Sequence, residues 1–180
     1  MTATDRRFVL SDGTILSAQP FSHVDHSVSE ITALLHRSYK QLADMGFQYW
    51  ATHQDDTVTL KRLLGGHGLV VCVAGQIIAT ITVYGADQTS GTPWYDRPDV
   101  GEFGQFAVDP PFQGQGIGTW LVDLAEQLAG DLGVQELALN TAEGATHLIA
   151  FYNRLGYRFI EYLASSSVNY RSVILSKTLP

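Results

Sequence analysis

Cysteine is nearly absent. Cys72 stands alone, so no internal disulfide can form, which suits a reducing cytoplasm. It lies within Leu69-Val70-Val71-Cys72-Val73, the context of a buried strand residue rather than a nucleophile. Long apolar runs are missing too: the longest, residues 69–73 and 77–83, are broken by Gly75 and polar residues, so no membrane span is expected. The opening Met-Thr-Ala-Thr-Asp-Arg-Arg has no apolar segment of the kind a secretory signal needs. Basic residues are few and unclustered, 11 Lys and Arg against 18 Asp and Glu, for a net charge of -7. Nucleic-acid binding rests on neutralising phosphates, so it is not expected. The same acidity favours cationic substrates such as amines, and it serves solubility equally well. His23 and His26 have a metal-pair spacing but no Cys or carboxylate partner, so no metal is expected. Ser165-Ser166-Ser167 lacks a nucleophile-elbow pattern and reads as a loop.

What remains is the make-up of a soluble globular chain, 45% hydrophobic and 16% charged. Its 180 residues fit one domain, residues 1–180, with a sizeable core. Residues 6–10 and 14–18 flank Asp12-Gly13, a hairpin signal. Apolar residues at helical spacing predict a helix over 28–45, and a shorter one over 57–64 closes at Gly65-Gly66. Residues 69–73 and 76–84 form a hairpin around Ala74-Gly75, and 86–99 is a long polar loop. Trp94-Tyr95-Asp96-Arg97 in that loop, and Tyr49-Trp50 earlier, can line a pocket or merely anchor their loops. A strand over 102–108 is followed by a helix marked by Ile117, Leu121, Leu124, Leu128 and Leu132. A strand at 136–140, a helix at 147–155 and strands at 157–163 and 170–177, parted by a serine turn, complete a mixed α/β sheet.

The informative stretch is Phe106-Ala107-Val108-Asp109-Pro110-Pro111-Phe112-Gln113-Gly114-Gln115-Gly116-Ile117-Gly118. A strand stops at a proline pair, turns through alternate glycines and enters a helix. Glycines permit positive φ and leave the backbone bare, so N–H groups can converge with the positive end of the helix dipole. Such a corner binds phosphate or pyrophosphate. The plainer alternative is a flexible turn. A P-loop is excluded, because no lysine accompanies Gly118-Thr119. A dinucleotide fingerprint is excluded because its third small residue would fall on Thr119.

Gln113-x-x-Gly116-x-Gly118 after Phe-Ala-Val-Asp-Pro resembles the coenzyme A pyrophosphate loop of the GNAT family of N-acetyltransferases. Phe151-Tyr152-Asn153-Arg154-Leu155-Gly156-Tyr157 resembles the Tyr-x-x-x-Gly-Phe/Tyr signature of the same family. The resemblance runs well from Gly101 to Lys177 and weakly before Leu69. It implies a mostly antiparallel, splayed central sheet flanked by helices, and acetyl-CoA as co-substrate. It further implies that Phe106, Ala107 and Val108 offer backbone groups to the pantetheine and thioester. Gln113, Gly114, Gln115, Gly116, Ile117, Gly118 and Thr119 would cradle the pyrophosphate.

Tyr152 matches the family's general acid; its phenol, pKa roughly 10 against about 8.5 for a thiol, would protonate the departing thiolate. As a residue on one helical stripe with Phe151 and Leu155, it could equally be core. Glu102 stands where one branch of the family keeps a base, and simple alternation puts it on one face with Phe106 and Val108. It could instead be an ordinary residue at a strand start. Relatives often carry Asn where this chain has Ala145; Asn140 either replaces it at the cofactor or caps its strand. The function implied is acetyl transfer to a primary amine, of a small molecule or of a peptide or protein, by direct attack in a ternary complex. The rivals are a non-catalytic acyl-CoA sensor and a binder of some other phosphate. The family also allows pairing of late strands into a homodimer.

Overall fold

A computed structural model describes residues 7–164 and 167–180. Arg6 of the expected first strand and Ser165 and Ser166 of the serine turn lie outside them. Eight strands form one sheet in the order β1-β2-β3-β4-β5-β6-β8-β7. They are β1 (Arg7–Val9), β2 (Ile15–Pro20), β3 (His67–Val73), β4 (Gln76–Tyr84), β5 (Val100–Val108), β6 (Glu136–Ala142), β7 (Arg158–Leu163) and β8 (Ser172–Thr178). Among the described residues four α-helices accompany them: α1 (Val28–Asp44), α2 (Asp56–Leu64), α3 (Ile117–Asp131) and α4 (Thr146–Arg154). Every strand pairing is antiparallel except β5 with β6.

The helices start where local chemistry permits. Ser27 accepts from the Glu30 amide and Asp55 from the Val58 amide, satisfying first-turn donors of α1 and α2. α1 buries Ile31, Leu34 and Leu35 against Val70 and Ile77 on one face of the sheet. α3 buries Ile117, Leu121, Leu124 and Ala125 with Ile81, Phe103 and Leu137 on the other. Each fully buried Leu or Ile contributes roughly 1.5–3 kcal/mol. Together the two faces hold β4 and β5 firmly from both sides.

β5 and β6 touch only at their starts, where Val100, Gly101 and Glu102 pair with Glu136, Leu137 and Ala138. Close approach there depends on Gly101, since a Cβ would lie 2.7 Å from the Tyr84 carbonyl oxygen and 2.9 Å from Val134. Gly101→Ala is therefore expected to destabilise the fold by about 1–3 kcal/mol through overpacking, measurable by urea unfolding. Beyond Glu102 the two strands part. The wedge between them is where the chain places its chemistry.

Candidate active site

β5 carries a bulge. Thr80 pairs with Ala107 and Thr82 with Gly104, so Gln105 and Phe106 face Ile81 alone. Gln105 takes φ +47, a left-handed conformation that costs a non-glycine residue about 1–2 kcal/mol. Its side chain is buried and held from two sides. Gln54 Nε2 donates to its Oε1 at 2.8 Å, and its own Nε2 donates to the Thr59 carbonyl at 3.3 Å. The bulge corrects one expectation, because the extra residue breaks alternation. Phe103, not Glu102, shares the α3 side with Phe106 and Val108, its ring 6.1 Å from that of Phe106.

Past β5, a short turn at Pro110–Phe112 leads to Gly114 (φ +76), Gly116 (φ +88) and the start of α3. Arg37 grips Asp109 through both carboxylate oxygens, at 3.2 and 2.9 Å, fixing the turn against α1. The amides of Gln113 and Trp120 find backbone acceptors in Pro110 and Gly116. Among the described residues, the amides of Gly114, Gln115, Gly116, Ile117, Gly118 and Thr119 have none. Six successive donors at a helix mouth form an anion cradle. Gln113 itself serves the turn, its side chain donating to the Val108 carbonyl at 2.9 Å. Gln115 is exposed and leans on the Pro111 carbonyl, while the Ile117 side chain is core.

This cradle opens into a cavity of about 500 Å3. Phe106, Val108, Gly114, Gly116, Gly118 and Thr119 line one wall, Ser38 and Tyr39 of α1 another. α4 supplies His147, Phe151, Tyr152 and Arg154. The Phe106 carbonyl accepts from Tyr39 Oη at 3.1 Å, and the Val108 carbonyl accepts from Ser38 Oγ at 3.0 Å as well as from Gln113. A carbonyl has two lone pairs, so these two donors leave the Val108 oxygen none for a ligand. Ala107 points to the opposite face, into the core beneath α1. The cavity thus joins an anion cradle, an apolar wall at Phe106 and Phe151, and a cation, Arg154.

A second cavity, about 270 Å3, lies on the far side of Tyr152. Tyr39, Leu148 and Tyr152 line both. The second holds Glu102, Arg62, Asn140, Thr141, Tyr49, Trp50 and Tyr170. Asn140, which the sequence offered either to the cofactor or as a strand cap, lines this second cavity and not the first, and its Nδ2 donates to Glu102 Oε1 at 2.8 Å. The cause is β6, which parts from β5 and carries Asn140 across the wedge. Tyr95 Oη reaches the same oxygen at 3.3 Å, from beneath the pocket rather than along its wall. Tyr49 and Trp50 do line the cavity, and Tyr49 Oη accepts from the Ala142 amide at 2.8 Å. Trp94 packs away from it, under Arg97.

One side of Glu102 faces the cavity, yet the surrounding protein dominates its chemistry. Burial pushes its carboxyl up to about 7, against the opposing pull of the Arg62 charge and of the hydrogen bonds from Tyr95 and Asn140. Burial also raises the Tyr152 phenol well above its ordinary value, with the neighbouring Tyr39 and Tyr49 adding to the rise. Tyr152 therefore keeps its proton at any working pH. Among the described residues no group grouped as a metal site is present. His26 instead accepts from the Ser22 amide and stacks on Phe21.

Among the lining residues that the sequence reading missed are Ser38 and Tyr39 of α1, Arg62 of α2 and the bulge residue Gln105. For Arg62 a signal was available, since Thr59, Arg62 and Leu63 share one helical face and the other two are buried.

A splayed sheet, a free-amide cradle and a phenol between two cavities define an acetyltransferase of the GNAT class, and comparison with known proteins agrees. The model of the acetyltransferase (GNAT) family matches residues 30–157. The chain is 33% identical over 139 residues to the S-(2-succino)cysteine N-acetyltransferase of Bacillus subtilis (strain 168), covering 74% of this chain and 80% of that protein. The GNAT domain of PAT from S. lividans superposes with a TM-score of 0.71 at 19% identity, over 97% of this chain and 96% of that one. A GNAT family acetyltransferase from Elizabethkingia anophelis with acetyl-CoA bound gives 0.60 at 19% identity, over 91% and 98%. The chain belongs to the GNAT family and is an acetyl-CoA-dependent N-acyltransferase.

Proposed function

We propose that this enzyme acetylates the primary amine of a small molecule of amino-acid size, by direct attack within a ternary complex. The observation that carries the reading is Tyr152 standing between two cavities, one with an anion cradle and one with a half-buried carboxylate. A sensor of acyl-CoA would need only the first. The relative from Bacillus subtilis acts on a cysteine derivative, which makes S-(2-succino)cysteine the first amine to assay by thiol release. Absence of thiol release with every amine tried, despite tight acetyl-CoA binding, would return the sensor reading.

In this scheme acetyl-CoA supplies an activated acyl group. Glu102 takes a proton from the incoming ammonium, directly or through water, freeing the nitrogen lone pair. As the C–N bond forms and the C–S bond breaks, Tyr152 Oη–H donates to the leaving sulfur. The single free cysteine supports a cytoplasmic setting. Exposed Phe159 and Tyr162 on the edge strand β7 support pairing into a homodimer, which sedimentation tests.

A base with a pKa near 7 gives a kcat/KM that climbs with pH and levels above neutrality. Glu102→Gln should remove that inflection and lower the rate at pH 7.5 by at least about 10²-fold. Stability should move oppositely. A carboxyl whose folded pKa lies above its unfolded value contributes stability below about 4.5 that is lost as pH rises through about 7. Gln keeps the acceptor oxygen and has no charge to bury, so the variant should gain on the order of 1–3 kcal/mol over the parent at pH 8.5 relative to pH 4.5. A parallel pH dependence of urea midpoints in the two proteins would refute this.

A further inference from the structure

We propose that Arg62 anchors a carboxylate of the acceptor, so that the enzyme selects amines that also carry an acid group. This rests on the small-molecule reading above and sharpens it. Arg62 is the cation of the second cavity, as Glu102 is its anion. Four other guanidiniums are paired: Arg37 with Asp109, Arg97 with Asp99, Arg158 with Glu136 and Arg171 with Glu143, whereas Arg7 and Arg154 are exposed to water. Among the described residues Arg62, partly buried, has no such partner. Glu102 acts on this guanidinium across the cavity without forming an ion pair, so the partly desolvated fork keeps donors for a ligand carboxylate.

The guanidinium is also held in place. Its Nη1 donates to Gln54 Oε1 at 2.8 Å. Gln54 is buried, and its Nε2 donates to Thr59 Oγ1 at 2.7 Å and to Gln105 Oε1 at 2.8 Å. With both amide protons used on those acceptors, the Gln54 oxygen can only face Arg62. Thr59 in turn accepts from Thr32 of α1 at 2.8 Å. The bulge residue that shapes the cofactor wedge therefore also sets the angle of Arg62. On the other side Nη2 lies over Gly104, 3.2 Å from where a Cβ would stand, so a side chain there would crowd it. Preset in this way, the free edge of the fork suits carboxylate recognition. Glu102 and Arg62 in one cavity complement a zwitterion, ammonium toward one and carboxylate toward the other.

The test compares S-methyl-L-cysteine with S-methylcysteamine, which differ only in the α-carboxylate, by thiol release with acetyl-CoA. The wild type should favour the amino acid by at least about 10²-fold in kcat/KM, expressed mainly in KM. Arg62→Gln should bring that ratio close to one. Arg62→Lys, which keeps charge without the fork, should leave it near tenfold. A wild-type ratio near one, or a ratio that Arg62→Gln leaves untouched, overturns the proposal. Calorimetry of S-methyl-L-cysteine with the CoA-loaded protein separates it from the catalytic reading. Binding that weakens in Arg62→Gln supports the anchor even if no thiol is released, and that outcome counts against acetyl transfer instead. Equal binding to both proteins counts against the anchor.

Discussion

Gly118→Asp should weaken CoA binding by about 10³-fold and leave the fold intact. Gly118 sits two residues past the Gly116 cap of α3, in the middle of the amide cradle. A Cβ there meets Phe106 at 3.4 Å and Phe151 at 3.7 Å, ordinary contact, and the residue does not need positive φ. The helix itself welcomes a carboxylate in its first turn, by about 0.3–1 kcal/mol. A diphosphate does not. Two unit charges about 4 Å apart repel by roughly 4 kcal/mol at the effective dielectric of a protein surface, close to three decades of affinity. The variant should thus unfold at the same temperature as the parent or slightly above it while losing its ligand. Titration with CoA by calorimetry, beside a thermal melt, reads both quantities. Binding within threefold of the parent would mean that the diphosphate lies elsewhere. Gly118→Ala is the companion control: it adds bulk without charge and should cost far less.

That cradle was readable in the sequence because its physics is local. Alternate glycines and a following apolar stripe report backbone freedom and a helix start without any knowledge of partners. The stripe of α3 held to within a residue at Leu132, where Gly133 at φ +80 ends the helix. The hairpin at Ala74-Gly75 was equally local, both residues taking positive φ. Boundaries set by pairing were less accessible. β5 begins at Val100, two residues before the polar-to-apolar pattern suggests, because it borrows order from β6 in parallel register. β8 begins at Ser172 rather than at Tyr170, whose ring stacks with Tyr49 at 4.8 Å.

The acceptor side was hidden for a different reason. Gln105 carries no mark of its left-handed backbone; only its buried bonds to Gln54 and Thr59 hold it there, and those residues lie some fifty positions earlier. Strict alternation puts Glu102 on the face of Phe106, and the extra residue of the bulge moves it to the other. Glu102 nevertheless lines a cavity together with Tyr152. What could not be inferred was the company it keeps.

Tyr152→Phe should slow acetyl transfer by about 10²–10³-fold, with CoA affinity and melting temperature almost unchanged. The ring is cemented by Phe103 at 6.0 Å, Phe151 at 5.1 Å and Tyr157 at 6.0 Å, all contacts that phenylalanine preserves. Among the described residues, no hydrogen bond to the Tyr152 hydroxyl is lost, so its removal leaves no orphaned partner. If the residue only fills space, the substitution is silent. If it donates to the leaving thiolate, the loss appears in kcat and in kcat/KM alike, because the interaction exists only as sulfur gains charge. The pH profile adds a second discriminant. Burial holds the phenol protonated far into the alkaline range, so no descending limb from Tyr152 should appear in the parent. The variant should therefore run parallel to the parent across pH 6–9, displaced downward, with the inflection from Glu102 near 7 kept in both. A changed profile shape, or a rate within threefold of the parent, would remove Tyr152 from the reaction and leave it to packing.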